Sequence, residues 1–288
     1  THRGGDGKST RYGVKKFSGR IANNEPMNPA ELVQAALAEG VFPAAQWAYG
    51  DLNQIHLGSA GTFTGAPDSV AVTSDSMFDV ASVTKVVATT SVAMLLSQMD
   101  ELDVERPVQD YLPEFVGDGK EHVRVVDLLL HRSGLPAHRE IWRMWPEPSE
   151  AYAAIPRIPL IRPTGETEYS CIGFIVLAMV LEKILNGGQA VFSFKEFEIF
   201  AELSVFTRLN MGHTTFRPGP FSRRSCVPTE VFNEPGFREG VAQGFVHDEN
   251  AFFLGGVSGN AGLFSSAGDL ARFAQCLLRG GDELFDAA

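Results

Sequence analysis

The chain has 288 residues, 35 Asp and Glu against 24 Lys and Arg, a formal net charge of −11 at pH 7, 44% hydrophobic residues and 10% aromatics. That length buries a sizeable core in one large domain or two closely packed ones, and the acidic balance argues against nucleic acid or an anionic membrane surface as a partner. Cys171, Cys226 and Cys276 are too few, and odd in number, for a disulfide framework; no run of about twenty apolar residues is long enough for a membrane span.

The first twenty residues, "THRGGDGKSTRYGVKKFSGR", hold six Lys or Arg against a single Asp. Residues 1–26 are read as a basic, solvated arm. No signal peptide is legible, which favours the cytoplasm, although Thr1 in place of an initiating Met signals that a segment has been removed.

Residues 27–288 are read as one domain: 27–80 supply a helix and the first strands of a sheet, and 81–288 are mainly helical. "MNPAELVQAALAEG" carries both helix-end signals, with Asn28 as N-cap, Pro29 in the first turn and Gly40 at the left-handed stop. Leu32, Val33, Ala36 and Leu37 form its apolar stripe. Between Ala44 and Gly61 the pattern gives two strands joined by a turn around Gly50, Asp51 and Asn53.

A helix follows from Ser82 to about Gln98, with Val86, Ala93 and Leu96 assigned to the core. "VRVVDLLLHRSGLP" is a short helix ended by Gly134 and Pro136. Helices are further expected from about Ile172 to Leu185, across "FKEFEIFAELSVFTRL", and across "SSAGDLARFAQCLLRGG". In the last, Ser266 is the cap and Asp269 stands three residues on, as in a capping box. Two strands alone do not make a stable sheet, so the β-layer requires strands from elsewhere, and little chain remains after Gly281 to supply them.

Chemistry concentrates at Ser82 and Lys85. On a helix, residues i and i+3 share a face, so the lysine lies beside the serine. A serine hydroxyl needs a neighbouring base, and a desolvated lysine is able to serve as one. The helix N-terminus favours negative charge developing on the serine oxygen. A Ser-x-x-Lys pair alone equally describes an N-cap followed by a solvated lysine. Tyr169, after a Pro-Gly turn in "PTGETEYSCIGFIVLAMVLEKI", fits a second proton carrier or an ordinary packing tyrosine. Trp142 and Trp145 are candidates for the wall of an acyl pocket, or for anchors of a loop. The glycines of "GGVSGNAG", Gly255 and Gly256 among them, indicate close backbone approach to another segment or to a ligand.

Taken in order, "FDVASVTK", "LLLHRSGLP", "PTGETEYS" and "HDENAFFLGGVSGNAGLFSSAGDLARF" resemble the serine β-lactamase-like and penicillin-binding-protein-like family. That family includes class C β-lactamases, DD-peptidases and related esterases, and the Ser-x-x-Lys pattern is one of its signatures. The resemblance runs from about Leu57 to Gly281. It implies an α+β fold of the β-lactamase/DD-peptidase type, an antiparallel sheet built from terminal segments plus an all-helical region, with the C-terminal strands missing from what the sequence offers. It implies Ser82 as the acylated nucleophile, Lys85 as its proton acceptor and Tyr169 as the first residue of a Tyr-x-Asn element.

Cys171 stands where that element carries Asn. A thiol hydrogen-bonds poorly, so the orienting contact is expected to be weak or absent, which favours tolerant ester cleavage over efficient β-lactam hydrolysis. His131 falls in a segment that is usually a structural turn, and His247–Ala251 matches a branch of esterase-like relatives. The family's third motif, Lys-Thr-Gly or His-x-Gly on a strand, has no match after Phe264, and "MGHTTF" at 211–216 lies too early. The missing strand would also carry a second oxyanion donor.

Three functions are carried from this reading. The first is a cofactor-free serine hydrolase acting on small esters or amides. The second keeps the mechanism and takes a β-lactam or D-amino-acid peptide. The third is a non-catalytic scaffold or binding protein of the same fold; under any of the three, an incomplete sheet edge would allow self-association. No metal-ligand spacing and no phosphate-cradling loop is legible.

Overall fold

Asn28 opens the first helix, its side chain accepting the Ala30 N–H, and Pro29 occupies the first turn of α1 (Pro29–Ala38). Gly40 follows at φ +67°, the left-handed stop that a residue without Cβ accepts at low cost. The computed structural model describes residues 28–281 and 283–285; the basic arm lies outside the described residues.

Strands β1 (Ala44–Gly50) and β2 (Ile55–Gly61) pair antiparallel, with Ala44 opposite Gly61. Asp51 closes their turn by accepting the N–H groups of Asn53 and Gln54. β3 (Phe78–Asp79) leads into the 3₁₀ turn Ala81–Val83. A π-wound segment, Lys85–Thr90, then runs into α2 (Ser91–Gln98). Short helices follow: α3 (Val108–Tyr111), α4 (Val125–Leu129), α5 (Ile141–Met144) and α6 (Pro148–Ala154).

The long helix is α7 (Cys171–Leu185), buried on every face from Ile172 to Glu182. A helix apolar all round belongs in a core, and α7 is its axis. Next come α8 (Lys195–Ala201), β4 (Thr215–Phe216), the hairpin β5 (Val231–Glu234) and β6 (Arg238–Val241), and α9 (Glu249–Phe253). β7 (Leu263–Ser265) and α10 (Ala267–Leu278) complete the described elements.

Among the described residues the β1–β2 hairpin gains none of the further strands expected for it; the additional strands form separate sheets. β7 is the middle of a three-stranded antiparallel sheet in the order β3–β7–β4, pairing Asp79 with Phe264 and Thr215 with the same Phe264. β5 and β6 form a separate two-stranded sheet. The region after residue 81 is therefore less purely helical than the sequence reading held. These strands are two to four residues long, too short for period-two patterning to stand out.

Two local readings change. Val86 is 52% exposed, while Val87 is buried with Ala93 and Leu96. Val86 lies inside the π-wound segment Lys85–Thr90, where the regular helical phase does not hold. Ser266 does cap α10, accepting the Asp269 N–H, but the Asp269 carboxylate turns away to accept from His213 N–H and the Thr214 hydroxyl, so the capping box is half formed. Glu182, which the sequence reading passed over, accepts the N–H groups of Glu196 and Phe197. It thereby satisfies free donors in the first turn of α8 from the side of α7.

Lys120 is fully buried, its Nζ donating to Pro156 O at 2.5 Å and lying over the Phe115 ring. Burial pulls its pKa from 10.5 down to about 8. The folded value lies below the unfolded one, so the unfolded chain binds more protons between those pH values and stability rises with pH there. We expect wild type to gain up to about 3 kcal/mol relative to Lys120→Met between pH 8 and 10.5. Urea unfolding of both at several pH values measures it, and a constant difference would refute the assignment.

Candidate active site

The Ser82 turn is built from both sides. Asp79, at the end of β3, accepts the Ala81 N–H through Oδ1 and the His247 N–H through Oδ2. Burial pushes its pKa up, against those two hydrogen bonds. Ala81 has φ +47°, a left-handed conformation that costs an L-residue roughly 1–2 kcal/mol. The strained residue immediately precedes Ser82, which is exposed.

Lys85 is 3% exposed. Its Nζ donates to Ser82 Oγ at 2.9 Å and to the carbonyl of Asn260 at 2.9 Å, and contacts Cys171 Sγ at 3.6 Å. The rings of Tyr169 and Phe174 lie 4.8 and 5.7 Å from it. Three segments far apart in sequence thus meet at one ammonium group. The structure brings Ser82, Lys85, Tyr169 and Cys171 together; Tyr169 remains 52% exposed. The contact expected to be weak or absent at Cys171 is present as a long sulfur contact.

Residues 259–263 lie against the first turns of this helix. Besides the Lys85 bond, Thr89 donates to Gly259 O at 2.8 Å. Thr84 Oγ1 accepts the Leu263 N–H at 3.1 Å and donates to Ala81 O at 2.6 Å. Asn260 is fully buried, with Nδ2 donating to Asp248 and Oδ1 accepting from Ser258. A Cβ on Gly259 would stand 2.1 Å from Phe174 O, and one on Gly262 2.7 Å from Gly256 O. The close approach legible in the glycine run is to other backbone. Asp79, Thr84 and Asn260 escaped the sequence reading; "GNAG" was the available signal, and it does not specify which carbonyl points at the lysine.

A cavity of about 350 Å³ opens beside Ser82, walled by Asp79, Ala81, Thr229, His247, Asp248 and Ala261. The His247 ring faces Glu230, Nε2 to Oε2 at 2.6 Å. The other predicted pocket residues sit elsewhere. Trp142 stacks on Phe237 at 4.3 Å and so anchors the β5–β6 hairpin. Trp145 packs against the main core. Gly255 lines a different cavity with Tyr152 and Arg217, and Gly256 lies against the Arg217 side chain. Among the described residues no group of three His, Cys, Asp or Glu is placed to hold a metal ion, and no helix is long and apolar enough to cross a membrane.

The family model described as Beta-lactamase matches residues 30–288. A Bacillus subtilis (strain 168) protein named N-acetylmuramyl-L-alanine amidase is 35% identical over 73% of this chain and 52% of its own length. An Escherichia coli (strain K12) protein named "Putative D-alanyl-D-alanine carboxypeptidase" is 31% identical over 76% and 55%. The chain therefore spans about half the length of the curated relatives it matches. Among solved structures, a class C β-lactamase superposes with TM-score 0.66 at 20% identity, covering 85% of this chain and 62% of that one. The octameric penicillin-binding protein homologue from Pyrococcus abyssi gives 0.69 at 18%, covering 90% and 57%. The fold is thus of the β-lactamase and penicillin-binding-protein type.

Thr84 is fully buried, and its hydroxyl serves both the Ala81 carbonyl and the Leu263 N–H. Thr84→Val keeps the shape and leaves the Leu263 N–H without its acceptor, at about 1–3 kcal/mol for an unsatisfied buried group, while the Ala81 carbonyl keeps the backbone N–H of residue 84. Chemical denaturation should show a loss in that range; a loss below about 0.5 kcal/mol would contradict the pinning role.

Proposed function

The chain belongs to the Beta-lactamase family, a family of serine hydrolases, and on that premise we propose that it cleaves small esters and amides through an acyl-enzyme on Ser82. The observation that carries this reading is the 2.9 Å bond between Lys85 Nζ and Ser82 Oγ, with the lysine held from behind by the Asn260 carbonyl. A nucleophile within hydrogen-bond reach of a base that a third group orients is the arrangement nucleophilic catalysis requires.

In this mechanism Lys85, as the neutral amine, takes the Ser82 proton to become the ammonium while Oγ attacks the substrate carbonyl. The Ser82 N–H, at the head of the helix, is one donor to the oxyanion. Tyr169, its ring over Lys85 Nζ, carries the proton on to the leaving group, and water then releases the acyl group by the reverse path. The cavity beside Ser82 receives one arm of the substrate. Cys171, a softer partner for Lys85 than asparagine, supports ester cleavage ahead of β-lactam hydrolysis. A second reading, cleavage of D-alanyl peptides, is supported by the names of the relatives.

A fluorophosphonate probe followed by intact-mass measurement tests the central claim. Wild type is expected to gain one adduct, and Ser82→Ala none. Lys85→Met should slow labelling by about a hundredfold or more, within the range for loss of a general base. Turnover of a 4-nitrophenyl ester, nitrocefin and a D-alanyl-D-alanine peptide then ranks the substrates. Folded protein without an adduct would refute the hydrolase reading and leave the scaffold reading in its place.

A further inference from the structure

His131 stands outside the Ser82, Lys85 and Tyr169 set, yet it grips Tyr169 from three sides. Its carbonyl accepts the Glu168 N–H at 2.8 Å. Its Nδ1 accepts the Ser170 N–H at 3.0 Å. Its ring lies 4.5 Å from the Tyr169 ring, tilted by 36°, with Phe174 packed at 4.8 Å. Both neighbours of Tyr169 and the phenol itself are therefore bound by one residue, while Phe174 and Tyr169 in turn face Lys85 Nζ.

We propose that His131 is a positioning residue for Tyr169: a neutral imidazole, held in the Nε2–H tautomer, that fixes the phenol ring over Lys85. The proposal rests on the proton-carrying role of Tyr169. A turn alone would not call for this side chain. His131 has φ +56°, a conformation that glycine or asparagine adopts more cheaply, and backbone hydrogen bonds would close the turn without a ring. Here the ring nitrogen replaces a backbone acceptor and the ring face is in contact with the tyrosine.

The clamp depends on protonation. Nδ1 accepts a hydrogen bond only while it carries no proton. The charged and titratable groups around the ring are Lys85 from the Ser82 helix and Tyr169 from the segment leading into α7. Arg132 is engaged by Asp127, and the Glu168 carboxylate by Arg162. Burial, and then the Lys85 charge, lower the imidazole pKa below its ordinary 6.5, and a bond that Nδ1 accepts favours the same neutral ring. The contribution of the clamp is complete above pH 6.5 and is lost as pH falls through the lowered folded value. Protonation would set an Nδ1–H donor against the Ser170 N–H donor and release Tyr169.

The test compares His131→Asn, Tyr169→Phe and wild type on a 4-nitrophenyl ester from pH 5 to 8. Asparagine tolerates the left-handed backbone and places an acceptor near the position of Nδ1, but removes the ring. We expect a folded His131→Asn protein that still labels at Ser82. Its kcat should fall by about tenfold or more, with KM changed less than about threefold, as loss of an acid–base group's alignment predicts. Its acid limb below pH 6.5 should be altered. An impaired Tyr169→Phe beside an unimpaired His131→Asn would overturn the positioning role alone. A fully active Tyr169→Phe would overturn the reading of Tyr169 and the positioning role together. Nitrogen-15 histidine NMR of wild type tests the claim even if the variant does not fold. One ring should be an Nε2–H tautomer that stays neutral below pH 6.5, and the absence of any such ring would overturn the proposal.

Discussion

A buried ammonium group organises this molecule. Taking Lys85 out of water costs several kcal/mol even after relaxation. Hydrogen bonds from a charged donor return about 1.5–3 kcal/mol each, so the bonds to Ser82 and Asn260 are of the size needed to offset it, with the Tyr169 ring adding a cation–π contribution of about 0.5–2 kcal/mol. None of these partners is a carboxylate. The lysine is therefore held by neutral groups; as an ammonium it only donates, and it takes the serine proton in its neutral amine form.

That requirement propagates outward. For the Asn260 carbonyl to reach Lys85, residues 259–263 must lie flat on the first helical turns. They do so only because Gly259 has no Cβ to strike Phe174. Thr84 and Thr89 fasten the same segment on either side of the lysine. The next residues, Leu263–Ser265, then become the central strand between β3 and β4. The three-stranded sheet is thus an extension of the contact that satisfies the lysine. Asp79 sits where that sheet meets the Ser82 turn and ties it to the His247 loop, so the strained Ala81 is held by bonds on both of its flanks.

Much of the local architecture was legible. Asn28 and Gly40 bound α1 as their capping chemistry dictates, and the Asp51 turn joins β1 to β2. The i, i+3 spacing places Lys85 against Ser82 even though a 3₁₀ turn and a π-wound segment stand where a regular helix was expected. Tyr169 precedes α7 at its N-terminus as the Pro-Gly turn suggested. Trp142 and Trp145 were left open between pocket wall and loop anchor, and their contacts are those of anchors. An exposed-looking tryptophan in a polar stretch is compatible with any aromatic partner, and here Phe237 and the core provide them. Val86 went astray because it lies inside the π-wound segment, where regular helical phase does not hold, while Ala93 and Leu96 in α2 are buried as their spacing predicted.

What the sequence by itself determined is the longer helices, the first hairpin and the placing of Lys85 beside Ser82, because caps, turns and helical spacing act across a few covalent bonds. Tertiary structure alone decided that a main-chain carbonyl 175 residues away would complete the lysine site, that the His131 ring would meet Tyr169 and accept the Ser170 N–H, and that short strands would pair across the chain. Backbone acceptors are alike at every residue and carry no signature in the sequence. Which one meets a buried charge is settled only when the whole core packs and each desolvated polar group has to find a partner.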